Sequence, residues 1–236
     1  MNIIEQKEIL RKSVYDSIFN GGFSNRPNGD YGKIPDFKGS DIAAQTLAKS
    51  KEWKKSKTIF VSPDSAQTPV RYLALKDNKN LIMASPNLEH GYYFLDGSCL
   101  DGVEMEASTK EGALKYKIDD DSKHHHMSVD LLVEGSVAVD REGHRIGKGK
   151  GYGDREIADL LERKLIKTTT PLATTIHPLQ LVDFVPTEGH DQKLNMVVTT
   201  EEIIRIAIFK FLSSLMPYFL LNRFLLFYLD FLIDFK

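Results

Sequence analysis

Four glycines, Gly147, Gly149, Gly151 and Gly153, recur at every second position of RIGKGKGYGDRE (residues 145–156), interleaved with Arg145, Lys148 and Lys150 and followed closely by Tyr152 and Asp154. Glycine lets backbone N–H groups turn toward an anion with no Cβ in the way, and a loop that opens a helix adds the favourable end of the helix dipole. Arg145 offers a bidentate fork to phosphate, whereas Lys148 and Lys150 offer point charges. The spacing is neither G-x-x-x-x-G-K-[ST] nor G-x-G-x-x-G, so neither named nucleotide motif applies. Chemistry alone leaves two readings of the loop, an anion site and a solvent-facing turn. Asp154 has two as well: a helix cap, or a Mg²⁺ ligand beside a nucleotide.

Other residues with chemical potential are scattered. His124, His125 and His126 are consecutive in a polar DDDSKHHHMS setting, which suits a loop better than one shared ion, and Asp119–Asp121 read as solvated. His177, ending the strand-like PLATTIH, is a candidate for lining a site. His190 and Asp191 read equally as a turn or as catalytic groups, and Cys99 has no His or basic neighbour in sequence and reads as structural. Lys7 and Arg11 stand four apart, one turn of helix.

The elements that must position these groups follow from periodicity. Residues 3–19 predict an amphipathic helix with Ile3, Ile4, Ile9, Leu10, Val14, Ile18 and Phe19 near its apolar stripe and Lys7 and Arg11 on another face. After an irregular Gly- and Pro-rich stretch, Ser40 or Asp41 is expected to cap a short helix reaching Trp53. KTIFVSPDS, NLIMASP and GYYFLD carry strand character, STKEGALKY helical character, and VDLLVEGSVAV is the strongest strand signal, a continuous apolar run of the kind covered on both faces. The glycine loop follows it directly, then the helical DREIADLLERKLI, the strand-like PLATTIH and LNMVVTT, and EEIIRI as the start of a last helix. Strands alternating with helices predict an α/β fold with a mainly parallel sheet.

At 236 residues, 42% hydrophobic and 27% charged with a formal net charge of −2, the chain suits one large α/β domain and carries no basic excess for coating DNA or RNA. A single cysteine excludes an internal disulfide and favours a cytoplasmic setting, and the charged N-terminus lacks the apolar core of a signal peptide. Residues 1–205 are expected to form the α/β domain and 206–236 a separate hydrophobic, helical tail. Lys210, Arg223, Asp230 and Asp234, with Pro217, interrupt the windows of about 20 apolar residues that a membrane-spanning helix requires. A buried helix pair, a dimer surface, an interfacial helix or a shifted reading frame remain as readings of that tail.

The run VDREGHRIGKGKGYGDRE resembles the D-x-x-G-x-R-[LI]-G-x-G-x-G-[YF]-x-D signature of the 5-formyltetrahydrofolate cyclo-ligase family, also called methenyltetrahydrofolate synthetases. HDQKLNMVVTTEEII resembles the family's closing segment, and QKEILR supplies its N-terminal K-x-x-x-R as Lys7 and Arg11. IPDFKGS, GSVAV and RIGKGKGY bring the chain closer to the archaeal branch and to animal proteins described as cyclo-ligase domain-containing, which append an RNA-recognition domain; no aromatic segment of that kind is seen here, and RNA is not an expected partner.

The resemblance implies a three-layer α/β sandwich of the CoA transferase-like kind. It also implies an ATP- and Mg²⁺-dependent ligase in which phosphorylation of the formyl oxygen lets a neighbouring nitrogen close the ring, giving 5,10-methenyltetrahydrofolate, ADP and phosphate. Lys7, Arg11, Arg145 and the backbone from Gly147 to Gly153 would then hold phosphates, Lys148 and Lys150 would neutralise charge during transfer, Tyr152 would line the folate side, and Asp154 would position Mg²⁺. Three departures stand out: Asn195 occupies the late acidic position near the metal, Gly153 replaces a second aromatic, and Ser65, Ala66 and Gln67 stand where a pterin-recognising glutamate is expected. A non-catalytic nucleotide-binding module, or a ligase with another substrate, is the alternative expectation.

Overall fold

The computed structural model describes residues 1–85, 88–118, 128–189 and 191–206. Asp119–Asp121, His124–His126, His190 and the apolar stretch 207–236 lie outside them. Residues Met1–Ile206 form one compact unit. No helix among the described residues is long and apolar enough to cross a membrane.

The chain opens with α1 (Ile3–Asn20), begun by a capping box in which Asn2 Oδ1 accepts from the Glu5 N–H at 2.9 Å and Glu5 Oε2 accepts from the Asn2 N–H at 3.1 Å. Its buried face differs in phase from the sequence expectation: Lys7, Arg11, Val14, Tyr15 and Ile18 are buried, whereas Ile4, Ile9 and Phe19 are exposed. Positions 7, 11, 14, 15 and 18 form one stripe, cationic in its first half and apolar in its second. The apolar half packs with Phe37, Ala138 and Ile146, so the cationic half overhangs the neighbouring loop. Truncating the fully buried Ile18 to Ala is expected to cost about 2–5 kcal/mol and to loosen that placement.

Two helices, α2 (Ser40–Ala48) and α3 (Lys51–Lys55), replace the single helix expected to run to Trp53. Gly39, at φ 89°, is the N-cap of α2, and neither Ser40 nor Asp41 caps it; the Ser50 hydroxyl accepts from the Trp53 N–H to start α3. The remaining helices are α4 (Thr68–Lys76), α5 (Glu104–Ala107), α6 (Lys110–Tyr116) and α7 (Tyr152–Glu162).

The strands are β1 (Thr58–Val61), β2 (Asn80–Ala84), β3 (Tyr92–Asp96), β4 (Leu131–Glu134), β5 (Ala138–Val139), β6 (Arg145–Ile146), β7 (Leu172–Thr175), β8 (Met196–Val198) and β9 (Ile203–Arg205). Seven form one sheet in the order β3-β2-β1-β4-β7-β8-β9, parallel from β2 to β8 and antiparallel at both edges. Along β1, Ile59 and Val61 join one core cluster and Phe60 another, so the sheet is covered on both faces as its apolar runs require. This is the α/β fold with a mainly parallel sheet that the sequence predicts.

Two expectations are corrected. VDLLVEGSVAV is not one strand: β4 ends at Glu134, whose carbonyl accepts from the Thr174 hydroxyl at 2.7 Å, and β5 pairs with β6 in a separate ribbon. Gly135 stands at the break because a Cβ there would lie 2.9 Å from Asp64 Oδ2. EEIIRI begins no helix: the Thr199 hydroxyl accepts from the Glu201 and Glu202 N–H groups, closing a tight turn that sends β9 back along β8.

Strand order reverses between β1 and β4. From β1 the chain crosses through α4 to β2 on one side, and from β4 it crosses by way of α7 to β7 on the other. A crevice at the C-terminal ends of β1 and β4 is therefore where this topology holds ligands.

Candidate active site

A cavity of about 440 Å³ opens there, lined by the glycine loop, Asp64 beyond β1, Glu134 at the end of β4, and the cationic half of α1. Arg145 leaves β6 buried; Gly149 and Gly151 take φ 91° and 65°, and Gly151 is the N-cap of α7. With no side chain capping that helix, its first N–H groups stay available to an anion. Asp154, in the first turn, does not cap; its Oδ1 accepts from Arg145 Nη2 at 2.9 Å.

The loop is held from two sides. Arg11 Nε donates to the Gly147 carbonyl at 2.7 Å and Nη1 to Glu8 Oε1 at 2.5 Å, while Lys148 Nζ pairs with Asp64 Oδ1 at 3.0 Å. The fully buried Arg71 donates to the carbonyls of Ser62 and Asp64, which fixes the turn that presents Asp64. Lys7 Nζ reaches Asp191 at 2.8 Å and Glu188 at 2.9 Å. Burial opposes its charge, but these two carboxylates outweigh it and hold its pKa above the ordinary lysine value. Lys150 is exposed and has no ion pair among the described residues. Tyr152 lies beneath the Arg155 guanidinium, 4.7 Å from ring centroid to Cζ.

Beneath the loop two further carboxyls meet, Glu134 and Glu156, 2% and 6% exposed. Burial first, and the adjacent Glu156 second, push Glu134 well above the ordinary carboxylate range. Burial, followed by the charge of Asp64, pushes Glu156 up to about 7, and the charges of Lys148 and Arg145 only partly offset this. Glu134 Oε1 and Arg145 Nε are buried with no hydrogen-bond partner among the described residues. Gly153 fits between these layers: a Cβ there would lie 2.7 Å from Arg145 Nη2 and 3.2 Å from Glu134 Oε2. The aromatic expected at that position is thus replaced by the space that the buried charges occupy.

Of the residues singled out from the sequence, Lys7, Arg11, Arg145, the run Gly147–Gly153 and Asp154 converge on the cavity. Asn195 does not. It lies before β8 at the opposite end of the parallel strands, where its Oδ1 accepts from the Leu172 N–H at 2.7 Å and so serves as a backbone clasp. His177 is corrected too: its Nδ1 accepts from the Leu179 N–H at the start of the 3₁₀ turn Pro178–Gln180, and its ring stacks on Phe23. Asp64, Glu134, Glu156 and Glu188 are cavity residues that the sequence reading missed. The available signal was Glu134 itself, a charged residue inside a run whose apolar neighbours predict burial on both faces.

Asp140, Glu142 and His144 are close enough to hold one metal ion but do not line this cavity. The Asp140 carboxylate is occupied by the N–H groups of Glu142, His144 and Val185 and by the His144 ring.

Residues 21–200 match the model of the 5-formyltetrahydrofolate cyclo-ligase family. The chain belongs to that family. It is 32% identical over 206 residues to the methenyltetrahydrofolate synthase domain-containing protein of Bos taurus, covering 84% of this chain and 53% of the relative. The chain thus spans about half the length of that curated relative. Over 171 residues it is 26% identical to the probable 5-formyltetrahydrofolate cyclo-ligase of Schizosaccharomyces pombe, 65% of this chain and 80% of that protein. The solved structure of Aquifex aeolicus 5,10-methenyltetrahydrofolate synthetase shares the cyclo-ligase fold with a TM-score of 0.54 at 22% identity, covering 85% of this chain and 92% of that one.

Proposed function

We propose that this chain converts 5-formyltetrahydrofolate to 5,10-methenyltetrahydrofolate with ATP and Mg²⁺, releasing ADP and phosphate, in the cytoplasm. The observation that carries this reading is the convergence of the glycine loop, the uncapped start of α7 and the cations Lys7, Arg11, Arg145, Lys148 and Lys150 on one cavity at the β1/β4 reversal. Family membership supplies the substrate class.

ATP supplies the phosphoryl group that makes the formyl oxygen a leaving group, so that the neighbouring nitrogen forms the new C–N bond as the C–O bond breaks and phosphate departs. The loop N–H groups bind phosphate oxygens, Arg145 grips them through its planar fork, and Lys150, exposed and unpaired, follows the charge that builds on the transferred group. Tyr152 bounds the side where the folate enters. Mg²⁺ fits the donor set: Asp154 offers hard carboxylate oxygen at the phosphate end, and the buried Glu134 Oε1 lacks any partner. When bound, the ion neutralises phosphate charge.

One observation favours a second reading, a nucleotide-binding module or a ligase for another substrate. Beyond β1, the Ser65 hydroxyl accepts from Arg26 and the Gln67 amide faces Thr175, so neither offers a carboxylate to a pterin, and the neighbouring Asp64 carboxylate is paired with Lys148. An absorbance assay for the methenyl product with 5-formyltetrahydrofolate, ATP and Mg²⁺ decides between the two. Turnover abolished by Lys150→Ala and Asp154→Ala supports the ligase; ATP binding without turnover in the natural protein supports the module.

A further inference from the structure

Asn195 lies at the far end of the sheet, so the oxygens that a divalent cation of a bound nucleotide could take come from Asp154 and the other carboxylates of the cavity. Every other carboxylate lining the cavity is held by a cation: Glu8 by Arg11, Asp64 by Lys148, Asp154 by Arg145, and Glu188 and Asp191 by Lys7. Glu134 and Glu156 are the exception among the described residues. They lie close enough for the charge of Glu156 to raise the pKa of Glu134 or for the two to share a proton, no ion pair among the described residues reaches either, and Glu134 carries a buried oxygen with no hydrogen-bond partner there. Two adjacent buried carboxyls are costly in their charged forms unless positive charge is brought to them. An N–H donor would satisfy one oxygen, whereas a hard divalent cation takes oxygens from both and from phosphate at once.

Their position agrees with that chemistry. Glu134 Oε2 lies 3.2 Å from the Cβ site of Gly153, directly under the first turn of α7, whose N–H groups no side chain caps. A cation between floor and phosphates would touch both. Arg145 bonds Asp154 beside this floor, which places that carboxylate next to the pair. Magnesium is commonly held by one or two carboxylates plus substrate phosphates, the number available here.

We propose that Glu134 and Glu156 supply the second carboxylate contribution to the divalent cation of the bound nucleotide, beside Asp154, in a site completed only when nucleotide is present. This rests on the nucleotide half of the proposed function and not on the folate half.

The test uses Mn²⁺ as the probe, titrated into the full chain and followed by electron paramagnetic resonance, with and without a non-hydrolysable ATP analogue. Expected is tight Mn²⁺ binding by the natural protein only with the analogue, weakened about tenfold or more in Glu134→Gln, Glu156→Gln and Asp154→Asn. Asn195→Ala should leave it unchanged. Binding of a fluorescent ATP analogue in EDTA, expected to stay within about twofold in both Gln variants, keeps loop damage separate from loss of a ligand. Mn²⁺ affinity unchanged in both Gln variants overturns the assignment, as does equal Mn²⁺ binding with and without nucleotide. Intact Mn²⁺ binding by a protein that makes no methenyl product would instead overturn the folate reaction and leave the cation site standing.

Discussion

The two ends of the parallel sheet are built by opposite rules. At the N-terminal ends of the strands, polar side chains are spent on the backbone: Asp130 accepts from the Lys57 and Thr58 N–H groups, Asn195 accepts from Leu172, and the buried Lys79 donates to the Ser56 carbonyl. At the C-terminal ends lie all four buried side-chain atoms without partners among the described residues, on Ser62, Gln67, Glu134 and Arg145. Satisfied polar groups hold a fold together, whereas unsatisfied ones persist where a ligand completes them. The same sheet therefore stores stability at one end and recognition at the other.

That contrast can be broken most forcefully at Arg145. Arg145→Ala removes the donor to the partly exposed Asp154 carboxylate and the cation that favours ionised Glu134, and the lost charged hydrogen bond is expected to cost about 1.5–3 kcal/mol, read as a lower denaturation midpoint. Lys150→Ala should do the reverse, because an exposed lysine without a partner stabilises little. The methenyl assay is expected to show a loss of about 100-fold or more in kcat, with the denaturation midpoint unmoved.

Glu156→Gln should raise stability while weakening Mn²⁺ binding. With its folded pKa near 7 against an ordinary 4.5, Glu156 resists ionising in the folded chain, so the unfolded state gains as pH rises through that interval. In EDTA the variant should match the natural protein near pH 4 and exceed it progressively to pH 8, by at most about 3 kcal/mol in denaturation curves. The smallest effect belongs to the other end: Asn195→Ala leaves the Leu172 N–H without its acceptor, costing about 1–2 kcal/mol, with turnover of the folded protein unchanged. A loss of turnover there would erase the distinction between the two ends.

What the sequence made legible was local. The glycine spacing, the apolar strands and the helix after the loop are each written in consecutive residues, so the glycine-loop wall of the cavity is legible in the sequence. The break after Glu134 was hidden because Gly135 answers to Asp64, 71 positions away in the chain, and β9 was hidden because Thr199 caps a turn with the same chemistry that caps a helix. Asn195 shows the limit of motif matching: its place in the closing segment suggested the metal, while the direction of β8 put it at the wrong end. Glu134 and Glu156 meet only through the packing of α7 on β4, which no spacing reports.

The stripe on α1 has a consequence for how the molecule comes apart. Val14, Tyr15 and Ile18 seal a core cluster while Lys7 and Arg11, on the same face, complete the wall of the cavity. Detachment of this one helix would strip two cations from the site before the sheet itself lost a strand. A bound anion bridging that wall would act as a rivet on the first segment of the chain, making ligand occupancy and N-terminal integrity a single equilibrium.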